Sequence, residues 1–352
     1  GLFEQHDRGR FDVTGVSFGP NRESKIRRRI VAALERFVDA QQSSDQEIAE
    51  LLHRYEIDIA VDLMGFTKNN RLDVLARRAA PIQVSYLGYP GTMGAPYIDY
   101  LVADQTTIPE EQAEFYSEQV VWLPDSYYVN DDRREISERL PSRGECGLPE
   151  QAFVFCCFNN TFKIAPESFD IWMGLLRSVE NSVLWLLEGN PTATVNLRRE
   201  AEKRGVSRHR LVFAGRTTPA EHLARHRHAD LCLDTLPYNA HTTGCDALWA
   251  GVPIVTCLGT TFVGRVAASL LKAIGLDQLI TYSPAEYEAV ALKFSRDAGY
   301  RAAIKTLLAS NREAFPLFDT QRFTRNMELA YTAMLDRHRG GKAHDAGPIR
   351  IG

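Results

Sequence analysis

Residues Asp234 to Thr256 read "DTLPYNAHTTGCDALWAGVPIVT". An apolar run, "ADLCL" (229–233), leads into this stretch, and "VPIVT" (252–256) closes it. Between them lies a polar turn, Asn239-Ala240-His241-Thr242-Thr243-Gly244, followed by a helix-like run. A helix that starts near Thr242 leaves its first backbone N–H groups without intrahelical partners. Those groups carry the positive end of the helix dipole, about half a charge. Thr242 and Thr243 add hydroxyls, His241 adds a ring N–H, and Gly244 allows a ligand to approach the backbone closely. The combination suits a phosphate. Thr as a plain helix cap is the competing reading, and the stretch by itself leaves both open.

Working outward, strand-like runs alternate with helical ones. "FVFCCF" (153–158), "SVLWLLEG" (182–189), "RLVFAG" (210–215), "ADLCLD" and "VPIVTC" (252–257) are separated by helical segments. Upstream, "FDVTGVSF" (11–18) precedes the amphipathic "SKIRRRIVAALERFV" (24–38), and "SSDQEIAELLHRY" (43–55) carries a Ser/Glu capping pair. "IDIAVDL", "LDVLARR", "IQVSYLGY" and "VVWLP" follow. This rhythm predicts two α/β halves built on parallel sheet. The expected boundaries are a first half over 1–130 and a polar connection over 131–150. A second half spans 151–318, a C-terminal helix 319–338, and a Gly/His/Lys tail 339–352, which reads as disordered.

Ligands of such sheets sit beyond the carboxyl ends of the strands. The loops after Phe158, Gly215, Asp234 and Cys257 therefore share one rim. The first holds Asn159, Asn160 and Lys163, ahead of Pro166 at a helix start. The second, "AGRTTPAEHLARHRHAD", holds His222 and Arg225 three apart on one helix face. A His ring can stack on a base and an Arg can bond a carbonyl edge; a solvated helix face is the alternative. His226 and His228 show no partner in the sequence. Asp246 is placed either to accept from a ribose hydroxyl or to complement the helix terminus. A cation, a helix N-terminus, a flat ring and a carboxylate on one rim fit a nucleoside diphosphate. No D-x-D metal motif lies near these loops, and Asp131-Asp132 reads as a turn.

The bulk numbers are those of an ordinary globular protein. The chain has 352 residues, a net charge of -4, 44% hydrophobic and 24% charged residues, enough for two cores. Mild acidity supplies no field for nucleic acid, and Arg27-Arg28-Arg29 reads as a solvated helix face. The six cysteines form no C-x-x-C pair and no zinc spacing, which points to free thiols in a reducing compartment. No run is long and apolar enough to cross a membrane, so a cytoplasmic location without membrane or nucleic-acid partners is expected.

Three stretches carry a resemblance. "IQVSYLGYPGTMGAPYIDYLVADQTTIPEE", "FCCFNNTFKIAPESFDIWMGLLRSVENSVLWLL" and "DTLPYNAHTTGCDALWAGVPIVT" are similar to the catalytic region of the protein O-GlcNAc transferase family, in its bacterial branch, related to SPINDLY-type proteins. The similarity runs from about His6 to about Met334. It implies the GT-B glycosyltransferase architecture, two Rossmann-like domains facing a cleft, with "TQRFTRNMELAYTAML" as the helix crossing back. It also implies inverting, metal-independent transfer of GlcNAc from UDP-GlcNAc to a Ser or Thr hydroxyl of a protein or peptide, with no cofactor.

By the same resemblance Lys163 faces the diphosphate, with Asn160 near the same phosphates. Thr242 and Thr243 match the phosphate-binding Thr pair, with His241 beside them. Asp246 matches the ribose carboxylate, and His222 and Arg225 face the uracil. Lys163 and His241 are the expected catalytic residues. Tyr89, Pro90, Gly91 and Thr92 belong to a glycine-rich loop near sugar and acceptor. Tyr238 stands where animal members carry a small Cys next to the N-acetyl group, which keeps GDP-fucose and UDP-glucose as alternative donors. The family's catalytic domain normally begins earlier, with a His-Pro segment and preceding tetratricopeptide repeats that this sequence does not show. The resemblance therefore implies a first half truncated at its start, and a UDP-binding module without turnover is the remaining alternative.

Overall fold

The computed structural model describes residues 1–341 and 347–352. The chain divides into two compact units, Gly1–Asp132 with Phe318–Gly352, and Arg133–Leu317. The first unit opens with helix α1 (Leu2–Gln5), strand β1 (Thr14–Ser17), α2 (Lys25–Ala32), β2 (Arg36–Asp39), α3 (Asp45–Arg54), β3 (Ile59–Asp62), α4 (Leu72–Ala76), β4 (Ile82–Ser85), β5 (Tyr100–Asp104) and β6 (Gln119–Leu123). The Ser44/Glu47 capping box forms as expected: Ser44 accepts from the Glu47 N–H and Glu47 accepts from the Ser44 N–H. The helical run expected over 24–38 stops early. Helix α2 ends at Ala32, and Arg36–Asp39 pairs in parallel with β1, Gly15 opposite Phe37. Cross-strand pairing of Phe37 and Val38 outweighs the helical spacing of "ERFV".

The second unit contains β7 (Phe153–Cys157), α5 (Pro166–Ser178), β8 (Ser182–Leu187), α6 (Pro191–Lys203), β9 (Leu211–Ala214), α7 (Pro219–Arg225), β10 (Leu231–Leu233), α8 (Thr242–Trp249), β11 (Ile254–Cys257), α9 (Val266–Ala273), β12 (Ile280–Thr281), α10 (Pro284–Arg296) and α11 (Ala298–Ala314). Its six strands are parallel in the order β12-β11-β10-β7-β8-β9. The strand direction of travel reverses between β7 and β10, so the loops after these two strands flank the switch point of the sheet. Trp172, Trp185 and Phe155 are fully buried around it.

The chain then returns to the first unit through α12 (Thr320–Arg339) and β13 (Ile349–Arg350). The first unit's main sheet is β13-β6-β5-β4-β3, all parallel, and β1-β2 is separate. Thr320 Oγ1 donates to the Asn130 carbonyl at 2.9 Å, and Arg322 forks onto Asp125 at 2.8 and 2.9 Å. The end of the chain differs from the disordered tail expected over 339–352. Ile349 and Ile351 are buried, and the strand Ile349–Arg350 extends the sheet beside β6. Apolar side chains at 349 and 351 on one face satisfy the period-two rule of a strand. Residues 342–346 of that tail lie outside the described residues.

The stretch 131–150 is not a free connection. Asp131 receives the Arg29 guanidinium at 2.6 and 2.9 Å in the first unit, so Arg29 departs from the solvated face expected of Arg27-Arg28-Arg29, whereas Arg28 is exposed as expected. From Arg133 onward the stretch packs on the second unit. The Ser137 N–H donates to Ala220, and Arg143 donates to the carbonyls of Pro149, Ala152 and His228. The six cysteines are free, and Cys146 alone among them is not buried.

Candidate functional site

The site gathers at the switch point of the second unit. After β7, Asn160 caps a short 3-10 turn over Thr161–Lys163, its side chain accepting from the Phe162 N–H. The turn throws Lys163 across to the β10 loop, where its Nζ donates to the Asn239 carbonyl at 2.8 Å and lies 3.9 Å from the centre of the Tyr238 ring. Burial brings the ammonium's pKa down from 10.5 to about 8. A desolvated cation of this kind gains most when an anion arrives.

Helix α8 starts at Thr242 as expected, with His241 at its N-cap and no side-chain capping bond. The bland reading, a Thr that merely caps the helix, therefore fails. Thr243 Oγ1 instead donates to the buried Asn159 Oδ1, and Asn159 Nδ2 donates to Thr235 Oγ1 at 2.7 Å. Asn159 thereby ties the two loops together. Thr242 is exposed at the helix start. The His241 ring stacks on Tyr238 at 5.2 Å and 28°, and burial lowers its pKa to about 3, so it is neutral. Gly244 has a different reason from the one expected. A Cβ there would meet Leu270 at 3.2 Å and Ala240 at 3.4 Å, so its smallness serves interior packing rather than ligand approach.

His222 and Arg225 act as one unit rather than as two readers. Arg225, only 8% exposed, donates through Nε and Nη2 to His222 Nδ1 at 3.0 and 2.7 Å and through Nη1 to the Gly215 carbonyl at 2.7 Å. Its guanidinium lies over Phe158 at 5.2 Å. Because Nδ1 accepts, the His222 proton resides on Nε2. Burial holds the His222 pKa near about 3. His226 and His228, partnerless in the sequence, are both engaged, His226 with the His222 carbonyl and His228 with the Pro141 carbonyl. A cavity of about 200 Å³ opens beside Arg225, walled by Trp185, Phe213, Gly215 and Thr217, and closed by Arg139 and Cys146 from the stretch expected to be a linker.

Asp246 is buried and already engaged by the Arg134 guanidinium. Burial raises its pKa, and Arg134 opposes the rise. Arg134 escaped the sequence reading because it is 112 residues from Asp246. Asp234 escaped it too. Its carboxylate accepts from the Thr235 N–H at 2.8 Å, the Ala240 N–H at 2.5 Å and Thr256 Oγ1 at 2.6 Å, while burial lifts its pKa to about 7. The signal available was an acid at the end of an apolar strand, directly before the phosphate-like turn.

Tyr89, Pro90, Gly91 and Thr92 lie in the first unit, on the crossover from β4 to β5. The crossover begins pressed against the β3 loop. A Cβ on Gly88 would sit 2.1 Å from the Leu63 carbonyl oxygen, and Tyr89 meets Phe66 edge-on at 5.3 Å. Farther along, Glu118 receives Thr92 Oγ1 at 2.8 Å and the Met93 N–H at 2.5 Å. Among the described residues no group of three or more His, Cys, Asp or Glu side chains could hold a metal ion, and no helix is long and apolar enough to cross a membrane.

The family profile of Glycosyl transferase family 41 matches residues 2–140 and 135–327. A probable UDP-N-acetylglucosamine–peptide N-acetylglucosaminyltransferase of Arabidopsis thaliana, SEC, is 38% identical over 97% of this chain and 36% of its own length. The corresponding Caenorhabditis elegans transferase is 26% identical over 97% of the chain and 39% of its own length. The chain thus spans well under half of these curated relatives. Among solved structures, a mutant O-GlcNAc transferase of Thermobaculum terrenum superposes with a TM-score of 0.87 at 34% identity, covering 97% of this chain and 65% of that one. An Anabaena protein solved with UDP and glucose shares the fold at a TM-score of 0.56 and 15% identity, covering 91% of each chain. The fold is that of the GT-B glycosyltransferases.

Proposed function

We propose, from the premise that the chain belongs to glycosyl transferase family 41, that it is the catalytic region of an enzyme moving GlcNAc from UDP-GlcNAc to Ser or Thr hydroxyls of proteins. The observation that carries the proposal is the convergence of Lys163 and the N-terminus of α8 across the β7/β10 switch point. In the transfer, the acceptor oxygen forms a bond to the anomeric carbon as the bond to UDP breaks on the opposite face. The proton of the acceptor hydroxyl passes to water or to a phosphate oxygen of the donor, and the leaving diphosphate gains negative charge. Lys163 and the positive N-terminal end of α8 are in place for that charge before it develops, which is the condition for electrostatic stabilisation. Because these groups supply the positive charge, the reaction needs no divalent metal in this reading.

The roles of the remaining side chains follow the same logic. His222 and Arg225, fixed to each other, receive the base beside the cavity that Trp185 and Cys146 wall. Asp246 takes the ribose once it parts from Arg134. The crossover at Tyr89–Thr92 receives sugar and acceptor. A cytoplasmic location belongs to the proposal, supported by six cysteines that form no disulfide.

The test is calorimetric titration with UDP, UDP-GlcNAc, UDP-glucose and GDP-fucose, with and without EDTA, followed by transfer from labelled donors to a peptide. Binding and transfer that favour UDP-GlcNAc and survive chelation are expected. No UDP binding, or equal affinity in wild type and Lys163→Ala, overturns the assignment.

A further inference from the structure

We propose that the buried carboxylate of Asp234 is the positioning residue of the diphosphate subsite, closing the turn that holds Lys163 and governing whether Lys163 keeps its charge. The inference rests on the reading of that subsite given above. Its geometric basis is a chain of contacts. Asp234 accepts from the Thr235 and Ala240 N–H groups, one at each end of the 235–240 turn, and from Thr256 Oγ1 on β11. Inside the same turn, Thr235 Oγ1 donates to the Tyr238 carbonyl at 2.6 Å and Asn239 Nδ2 to the Thr235 carbonyl at 3.1 Å. The turn so closed presents the Asn239 carbonyl to Lys163 Nζ and hands the chain to the first residue of α8. One carboxylate thus fixes both partners of the incoming phosphates.

Charge follows from the same arrangement. Lys163 faces Asp234, Cys157 on β7, the His241 ring and the Tyr238 ring. Asp234 faces Lys163, Cys157, Cys232, Cys257 and Tyr287. His241 is neutral above about 3, burial pushes the Cys157 and Cys257 thiols and the Tyr287 phenol upward, and the hydrogen bond with Cys156, then burial, does the same for Cys232. Of these groups, only Asp234, at about 7, changes charge just below the pH at which Lys163, at about 8, loses its own. The three donors on Asp234 favour its ionised form against burial. Ionised Asp234 in turn raises the Lys163 pKa. Without that charge Lys163 deprotonates at lower pH, and a neutral amine no longer attracts phosphate.

The experiment reads Lys163 directly, by NMR titration of ¹³C-lysine-labelled protein without ligand, and then UDP affinity by calorimetry from pH 6 to 9.5. Asp234→Asn removes the charge at constant shape. Thr256→Val removes one donor and so makes Asp234 harder to ionise. In wild type the Lys163 midpoint lies near 8, and UDP affinity falls above it. In Asp234→Asn the midpoint drops by about one unit, with about fivefold weaker UDP binding at pH 8, approaching about tenfold at pH 9.5, and affinity within about threefold of wild type at pH 6. Thr256→Val shifts both in the same direction by less, and decides the matter if Asp234→Asn does not fold. An unchanged Lys163 midpoint in the folded variants, even with uniformly weaker UDP binding, leaves Asp234 a structural residue and overturns the proposal. If wild type does not bind UDP, the reading of the diphosphate subsite fails, while the lysine titration still decides the role of Asp234.

Discussion

The crossover after β4 and the loops after β7 and β10 both arise at the carboxyl ends of parallel strands, yet they present different chemistry. In the first unit, carboxylates shape backbone. Asp62 accepts from the Met64 and Gly65 N–H groups at 3.1 and 2.7 Å, and Glu118 accepts from Thr92 and Met93. What that region presents outward is aromatic, with Phe66 54% exposed beside Tyr89. In the second unit Asp234 also shapes backbone, and the ionisable groups around it are desolvated. Lys163 falls to about 8, His222 and His241 to about 3, and Asp234 rises to about 7. Desolvation disfavours charge until a counter-charge arrives, so the second unit is poised for an anion and the first for a neutral surface.

The largest effect that tests this contrast comes from Lys163→Met. Removing the desolvated cation is expected to cut transfer by on the order of 1000-fold and UDP affinity at pH 7 by at least tenfold. A turnover number within threefold of wild type breaks the comparison at its strongest point.

Next comes the base end. Since Arg225 holds His222 through Nδ1, Arg225→Ala should weaken UDP binding by about 30-fold, on the scale of a lost charged hydrogen bond, and narrow the preference for UDP over GDP. His222→Ala should weaken both nucleotides. The double variant is expected to be no worse than Arg225→Ala alone, because one interaction is lost twice. Full additivity by calorimetry would show two independent contacts.

A smaller change is expected in the first unit. Glu118→Gln leaves the size of the side chain but weakens its hold on Thr92 and Met93. Peptide-transfer kcat should drop by about tenfold, in line with the cost of a lost charged hydrogen bond, while UDP affinity stays unchanged. Loss of UDP affinity in this variant would erase the division of labour between the two regions.

The smallest effect concerns Arg134. Its removal frees the Asp246 carboxylate that it occupies. Arg134→Ala should therefore tighten UDP by up to about fivefold, the scale of a weak ion pair. Weaker binding would make Arg134 a contributor to the nucleotide site rather than its competitor.

Much of this architecture was legible from residues alone. The strand runs 153–158, 182–189 and 252–257, the Pro166 and Thr242 helix starts and the Ser44 cap all report local burial and local hydrogen bonding, which spacing encodes directly. The short strand Arg36–Asp39 was hidden because its apolar residues also suit a helix, and only its pairing with Thr14–Ser17 separates the two.

The sequence by itself determined the kinds of groups on the second rim: a lysine, a threonine pair, a His/Arg pair and, in α8, the acid Asp246. Tertiary structure alone decided what each of them does. The strand order puts β7 against β10, which brings Lys163 to Asn239 across 76 residues and Asn159 to Thr243 across 84. The same folding sets Arg134 on Asp246 and turns Gly244 toward Leu270. A side chain's charge depends on its desolvation and on neighbours remote along the chain, and neither quantity is written in spacing.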